Sequence, residues 1–165
     1  MPPSRSDRPP APKRGDAQKL SESGLGEGFG FLLSRAGVLT TEIANAALEP
    51  LDLTVQEYMI LALATVTPPP SQRELSQVLR LHPSRIVELV DRLERLGRVA
   101  RSTSPTDRRV NQVGATEEGL RLRETGAATL TEAHTRQFAH VDPELLAAFK
   151  PLLRQIALID RPERR

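Results

Sequence analysis

The clearest pattern of apolar and polar positions lies between Ser71 and Gly119. Its apolar residues recur in two stretches at the three- and four-residue steps of an amphipathic helix. The first stretch contains Leu75, Val78 and Leu79, and the second contains Ile86, Leu89, Val90, Leu93 and Leu96. After Gly97 the spacing changes to the alternation of a strand, so the pattern predicts two short helices followed by a β-hairpin.

Capping residues indicate where these elements begin and end. Ser71 with Glu74 three residues later forms a capping box. His82 followed by Pro83 suits the N-cap and first position of the second helix, and Gly97 suits its end. Pro105-Thr106-Asp107 supplies the turn of the hairpin. Two helices at a tight turn, followed by a basic hairpin, are the plan of a winged helix-turn-helix, which reads DNA.

The exposed side of the second helix supplies candidate DNA contacts. The N-terminal residues of this helix enter the major groove in helix-turn-helix proteins, which indicates Ser84 and Arg85 for base edges. Val87 is placed to meet a thymine methyl group. Arg92 on the helix and Arg101 on the first strand are further candidates. The alternative for these arginines is an ordinary solvated surface.

Charged residues at the hairpin tip suit the minor groove. Arg108 and Arg109 carry guanidinium groups, which its negative potential attracts. Asp107 positions the wing, by turning the hairpin and pairing with an arginine. Glu88, on the reading helix, either repels phosphate, accepts a hydrogen bond from cytosine N4, or pairs with Arg85 or Arg92; we favour the ion pair.

A family resemblance rests on these residues. The run Asp107-Arg108-Arg109, six further residues and Thr116-Glu117-Glu118-Gly119 resembles the wing signature of the MarR family of bacterial transcriptional regulators. Residues 96–101 resemble its helix-to-wing junction, and residues 53–58 resemble the start of its second helix. The resemblance spans roughly residues 25–126. It implies a homodimer on a pseudo-palindromic operator, often released by a small anionic or phenolic ligand, with Arg109 as the minor-groove arginine.

The resemblance also implies where a small-molecule effector binds. It places a pocket near the first two helices and the helix that Thr116 begins, with Phe29, Leu32, Met59 and Leu63 as candidate lining residues. Each of them is equally suited to a core position, and core is the interpretation we favour. The chain contains only four phenylalanines and one tyrosine, which argues against a large stacking pocket.

Positive charge is concentrated on the predicted DNA-reading segment, residues 71–112, which we call the reader. From Ser71 to Gln112 nine arginines face five acidic residues, a local net charge of +4, so the rest of the chain carries −2. Such a concentration is the electrostatic footprint of a DNA-binding surface. Of the 23 basic residues 20 are arginine, which suits bidentate contacts to guanine and phosphate.

The other segments complete a mainly α-helical organisation. Residues 1–24 form a Pro/Arg-rich tail expected to be disordered. Residues 25–165 form one MarR-like domain, with the winged helix-turn-helix at about 53–115 and dimerisation helices at about 25–51 and 116–160. Three prolines at 68–70 predict that any strand pairing with the wing there is very short or absent. Pro151 predicts a kink in the last helix.

The sequence favours a homodimeric transcriptional repressor that binds a double-stranded operator. No cofactor, metal or membrane partner is expected, because the chain has no cysteine, no apolar run of membrane-spanning length, and histidines without metal-ligand spacing. We expect a cytoplasmic, nucleoid-associated protein. The alternatives are a winged-helix module for protein–protein contacts and, less favoured, a small-molecule-binding enzyme on a helical fold. No catalytic motif supports the enzyme.

Overall fold

The computed structural model describes residues 14–103 and 111–158. It is mainly helical, with one two-stranded antiparallel sheet. The helices are α1 (Arg14–Glu22), α2 (Phe29–Leu48), α3 (Val55–Leu63), α4 (Gln72–Leu79), α5 (Pro83–Arg95), α6 (Glu117–Gln137) and α7 (Pro143–Ala157), and the strands are β1 (Val99–Thr103) and β2 (Asn111–Ala115). The predicted winged helix-turn-helix class is therefore confirmed.

The N-terminal segment differs from the prediction. Residues 14–22 are helical, although the sequence predicts a disordered tail through residue 24. This stretch follows the last proline of the tail and forms a local i,i+4 bond, in which Gln18 Nε2 donates to Glu22 Oε1 at 2.8 Å. The prediction of disorder rests on the lack of apolar residues in this segment. Amino-acid composition does not reveal a local hydrogen bond of this kind. Residues 1–13 lie outside the described residues.

Glycines precede the start of α2. A short 3₁₀ turn covers Leu25–Glu27, Gly28 is extended, and the α-helix begins at Phe29. At the other end a second 3₁₀ turn, Glu49–Leu51, contains Pro50. Asp52 then adopts a left-handed conformation with φ 50°, which turns the chain into α3.

The core lies between α3, α4, α5 and the sheet. Its fully buried side chains include Leu48, Ile60, Leu61, Leu75, Ile86, Val90, Leu93, Val99 and Val113. Two members of the predicted apolar stripes are not part of it, since Val78 is 63% exposed and Leu96 is 42% exposed. The two-turn α4 contacts the core through Leu75 and Leu79, which leaves Val78 turned away.

The sheet forms the base of the wing. Val99 pairs with Ala115 and Thr103 with Asn111 in antiparallel register. The third strand is reduced to one bridge between Ser71 and Gln112, beside a bond from Val113 N to Pro70 O at 2.8 Å. This confirms that the prolines leave room for only a very short strand.

The last two helices each begin at a capping side chain, but they differ in how much of each is buried. Thr116 caps α6, whose face contacts α2 and α3. Asp142 caps α7 by accepting from Glu144 N at 2.8 Å, and the helix continues through Pro151 to Ala157. None of the residues of α7 is buried. Its large apolar side chains Leu145, Leu146, Phe149 and Leu152 are 37–66% exposed.

Candidate nucleic-acid interface

Helices α4 and α5 meet at a tight turn whose geometry is fixed by side-chain bonds. Ser71 and Glu74 form the predicted capping box at the start of α4. Arg80 ends α4 in a left-handed conformation with φ 53°. Ser76 Oγ then donates to Leu81 O at 2.7 Å, which closes the turn. The relative placement of the two helices is thus set within the turn itself.

The start of α5 is held by the predicted cap. His82 Nδ1 accepts from Ser84 N at 3.4 Å, and Pro83 occupies the first helical position. At the other end Gly97, with φ 69°, stops the helix by allowing bonds from Gly97 N to Glu94 O and from Arg98 N to Leu93 O. This pair of bonds is the Schellman arrangement. Local hydrogen bonds therefore define both ends of α5.

Three of the predicted contact residues, near the start of α5, are exposed or partly exposed. Ser84 is exposed, Val87 is 43% exposed, and the Arg85 side chain is 42% exposed. Beside them an open cleft of about 390 Å³ separates α4 from the start of α5. The cleft is lined by Gln72, Arg73, Ser76, Gln77, Pro83 and Val87. This surface combines hydrogen-bonding groups with one apolar side chain, as base edges require.

Arg85 is held by two acceptors of its own chain. Its Nη1 donates to Glu88 Oε2 at 2.8 Å, and its Nε donates to Gln56 Oε1 on α3 at 3.0 Å. The favoured intramolecular pairing of Glu88 is confirmed, with Arg85 rather than Arg92 as the partner. Arg85 therefore lies on the reading face in a defined orientation.

Arg92 has intramolecular partners at a second site, and its assignment as a DNA contact stays a prediction. Its guanidinium pairs with Glu57 and Asp52 at the corner between α2 and α3. Glu57 is only 1% exposed. The hydrogen bond to Glu57 is the main cause that raises the pKa of Arg92 further. Arg92 therefore connects the recognition segment to the corner between α2 and α3.

The corner is completed by a residue that sequence reasoning missed. Arg98 Nη1 donates to Asp52 O at 2.6 Å, and Arg98 Nη2 donates to Leu51 O at 3.3 Å. We call Asp52, Glu57, Arg92 and Arg98 the corner junction. Its partners are separated by 35 to 46 positions, so spacing alone gives no signal for it. A cleft of about 340 Å³ borders the junction.

The guanidinium of Arg101 is also paired with acidic side chains of its own chain. It pairs with Asp91 and Glu94 on α5, and its backbone N donates to Glu94 Oε1 at 3.0 Å. Asp91 is thereby committed to Arg101 instead of Arg95, the alternative partner at i,i+4. These contacts connect β1 to α5, so Arg101 helps to position the base of the wing. Its assignment as a DNA contact stays a prediction.

The remaining predicted residues fall into two groups. Asp107, Arg108 and Arg109 lie outside the described residues. Phe29 and Leu32 are 60% and 48% exposed, whereas Met59 and Leu63 are half-buried. A core position is therefore wrong for Phe29 and Leu32. Neither of the two clefts given above is lined by any of these four residues.

Other chemistry has little support in the described part of the chain. Across residues 14–103 and 111–158 no group of three or more histidine, cysteine or acidic side chains is arranged to hold a metal ion. None of the helices in those ranges is long and apolar enough to cross a bilayer. His134 packs beside Phe138, with ring centroids 6.4 Å apart.

A capped helix-turn-helix with an exposed polar first turn and an adjoining hairpin defines a DNA-binding transcription regulator of the winged-helix class. The family model described as "MarR family" matches residues 53–110. A MarR-family transcriptional regulator from Rhodococcus sp. RHA1 has a similar structure, with 37% identity, a TM-score of 0.76, and coverage of 82% of this chain and 98% of that one. The chain belongs to the MarR family.

Two further relatives are informative. CouR from Rhodococcus jostii RHA1, solved with p-coumaroyl-CoA, is 38% identical with a TM-score of 0.73, and the match covers 84% of this chain and 98% of that one. The transcriptional repressor Rv2887 of Mycobacterium tuberculosis is 29% identical over 128 residues, covering 78% of this chain and 92% of that protein. Its solved complex with salicylic acid has a TM-score of 0.67.

Proposed function

We propose that this regulator is a homodimeric repressor whose two α5 helices read successive major grooves of a pseudo-palindromic operator. The observation that carries the proposal is the start of α5, where Ser84, Arg85 and Val87 are all exposed or partly exposed. Two such helices must lie about 34 Å apart to enter grooves one helical turn apart on the same side of the duplex. Repression rather than activation is supported by the repressor Rv2887.

The dimer is supported by apolar surface that the chain itself does not cover. On α7 the side chains of Leu145, Phe149 and Leu152 are at least 40% exposed, and on α2 Phe29 and Val38 are at least 56% exposed. Exposed apolar patches of this kind mark interaction surfaces. A second copy that packs α2 and α7 against their counterparts would cover both, as the assignment of residues 25–51 and 116–160 to dimerisation requires.

The wing is proposed to contact the minor groove. The support is that β1 and β2 project from the reader and that Arg101 fastens β1 to α5. The motif places Arg108 and Arg109 at the tip between these strands, with Asp107 to position them. Minor grooves attract guanidinium groups through their negative potential.

An effector of the small anionic or phenolic class is proposed to release the operator. CouR is solved with p-coumaroyl-CoA and Rv2887 with salicylic acid, and both ligands combine an aromatic group with an anionic group. Phe29 and Leu32 on α2, with Met59 and Leu63 on α3, are the proposed lining. In that arrangement the exposed pair on α2 needs a second copy to enclose it. A cytoplasmic, nucleoid-associated location follows from the proposed DNA target.

The competing function is a winged-helix module for protein–protein contacts. Retention on heparin or DNA that falls steeply with salt would favour the regulator, because phosphate contacts release counterions. A module that contacts proteins would show no such dependence. The concentration of positive charge on the reader favours the regulator.

The function is tested by selecting binding sites for the full chain from a random duplex library, and by sequencing the genomic fragments that it binds. We expect one motif with two-fold symmetry. Arg85→Ala and Arg109→Ala should each weaken the selected duplex by about 1–3 kcal/mol per contact. Arg136→Ala is the control, because Arg136 pairs with Glu132 near the C-terminal end of α6, at the opposite end of that helix from the reader. Absence of any selected motif, or equal effects of all three variants, would contradict the proposal.

A further inference from the structure

The hydrogen bonds of Arg85 suggest more than a contact residue. Gln56 lies in the first turn of α3, and Glu88 lies three residues after Arg85 on α5. The two acceptors therefore approach the guanidinium from different helices. One takes Nε at 3.0 Å and the other takes Nη1 at 2.8 Å. Two attachment points fix both the position and the plane of the group.

The fixed guanidinium leaves suitable donors for a base. Arginine has five N–H groups in one plane, and Gln56 and Glu88 engage two of them. Within residues 14–103 and 111–158 the Nη2 group of Arg85 makes no hydrogen bond. The Nη2 amino group, with its two N–H bonds, lies at the end of the fork. That end matches the O6 and N7 acceptors of guanine in the major groove.

Glu88 has a second effect through its charge. Its side chain is 68% exposed on the face that would approach DNA. A carboxylate near phosphates lowers the affinity of every duplex, since like charges repel. The loss is offset only where Arg85 reaches a guanine. An acid in this position therefore increases the ratio of affinities for correct and incorrect sites, although it does not increase the affinity for either.

We propose that Gln56 and Glu88 are specificity-determining residues that hold Arg85 for a guanine at one position of each half-site. Gln56 orients the guanidinium without changing the charge of the reader. Glu88 orients it and also weakens binding to sequences that lack the guanine. The inference rests on the proposed operator-reading function and adds the base that Arg85 reads and the residues that enforce it.

The test begins with the motif that the wild-type full chain selects from a random duplex library. Binding is then measured by fluorescence anisotropy for the selected duplex, for duplexes changed at each position, and for a scrambled duplex. The variants are Arg85→Ala, Gln56→Ala and Glu88→Gln. Glu132→Gln is the matched control, because Glu132 is 69% exposed and pairs with Arg136 on α6. Melting curves establish that each variant is folded.

We expect all three variants to lose preference at the same base pair. Arg85→Ala should reduce discrimination there by about 5- to 150-fold. Gln56→Ala should reduce it by about two- to fivefold, with an unchanged salt dependence because no charge is altered. Glu88→Gln should raise affinity for the scrambled duplex and lower the ratio of selected to scrambled binding by about two- to fivefold. Glu132→Gln should change neither quantity.

The outcomes separate this inference from the function on which it rests. If the wild-type chain selects no motif, the proposed function fails. If it selects a motif and Arg85→Ala removes one guanine preference, while Gln56→Ala and Glu88→Gln keep that preference and the wild-type ratio, the inference is overturned and the function stands. If Glu88→Gln raises selected and scrambled binding equally, its role is general repulsion and the specificity assignment is overturned.

Discussion

Glu57 is the residue on which the corner junction depends. It is 1% exposed, and its carboxylate accepts from the N–H and hydroxyl of Thr54 as well as from Arg92. Arg92→Ala would leave a buried carboxylate without its cation. Because Arg92 is 36% exposed, water compensates part of the loss, and we expect the free energy of unfolding to fall by about 1–3 kcal/mol.

Urea denaturation at neutral pH measures this loss. Arg95→Ala is the control, since Arg95 is exposed on the same helix and should change stability by no more than about 0.5 kcal/mol. Adding Glu57→Gln to Arg92→Ala should recover part of the lost stability by neutralising the orphaned charge. Equal stabilities for the two single variants would mean that the junction contributes nothing.

The arginines also show how far the sequence alone predicts the site. Arg85 lies partly exposed near the start of α5, a position that follows from the local cap and helix period. Arg92 and Arg101 have the same residue type and are also part of the basic reader, but Arg92 is bound by acids 35 and 40 positions away. Long-range partners leave no periodic signal, so the sequence could not show that Arg92 connects α5 to the corner between α2 and α3.

At the scale of the elements, the cap of α4 gives a pH dependence. The hydrogen bond from the Ser71 backbone holds the pKa of Glu74 below its ordinary value, with the Ser71 hydroxyl adding to the effect. A lowered folded-state pKa means that the contribution is present above the unfolded pKa and is lost as pH falls through the folded one. Glu74→Gln should therefore lose less stability than wild type on acidification below about pH 4.5. Thermal melts across that range, with Glu132→Gln as control, would show an unchanged slope if the cap were irrelevant.

The start of α6 packs too closely to accept a side chain. A Cβ on Gly119 would lie 1.9 Å from Arg98 O and 3.0 Å from Leu61 Cδ1. Gly119→Ala should therefore destabilise the chain by about 1–3 kcal/mol. Gly37→Ala, where an added Cβ meets no described atom within 4 Å, should be neutral or stabilising within one chain because alanine favours the helix. Equal melting temperatures for both variants would contradict the close packing.

The elements themselves were the most predictable level of the structure. Ser71, His82 and Thr116 cap helices where the sequence predicts them, since a cap is read from residues within three positions. Exposure was harder to predict. Phe29 and Leu32 resemble core residues by type, and the fold leaves them exposed because a face is buried only where another element covers it.

At the scale of the whole molecule, the exposed faces predict obligate pairing of two chains. Phe149→Asp and Leu152→Asp place charges on apolar side chains of α7 that are 40% and 44% exposed. Light scattering should give about twice 18.2 kDa for wild type and a lower mass for both variants. Val66→Asp is the control, because Val66 is 49% exposed but lies between α3 and α4. Wild-type mass in both α7 variants would contradict the proposed interface.

The contact around Gly119 has a mechanical consequence. Thr116 N donates to Arg98 O at 3.1 Å, and Thr116 Oγ1 donates to Gly97 O at 2.6 Å, so the first turn of α6 is fastened to the end of the recognition helix and the start of the wing. α6 has 21 residues, so at 1.5 Å per residue it is a rod of about 30 Å. A tilt of about 5° at the fastened end displaces the far end by about 3 Å. Conversely, a displacement of about 3 Å at the far end tilts the fastened end by about 5°. A small tilt of α6 beside the reader therefore corresponds to a larger displacement at the far end of the helix.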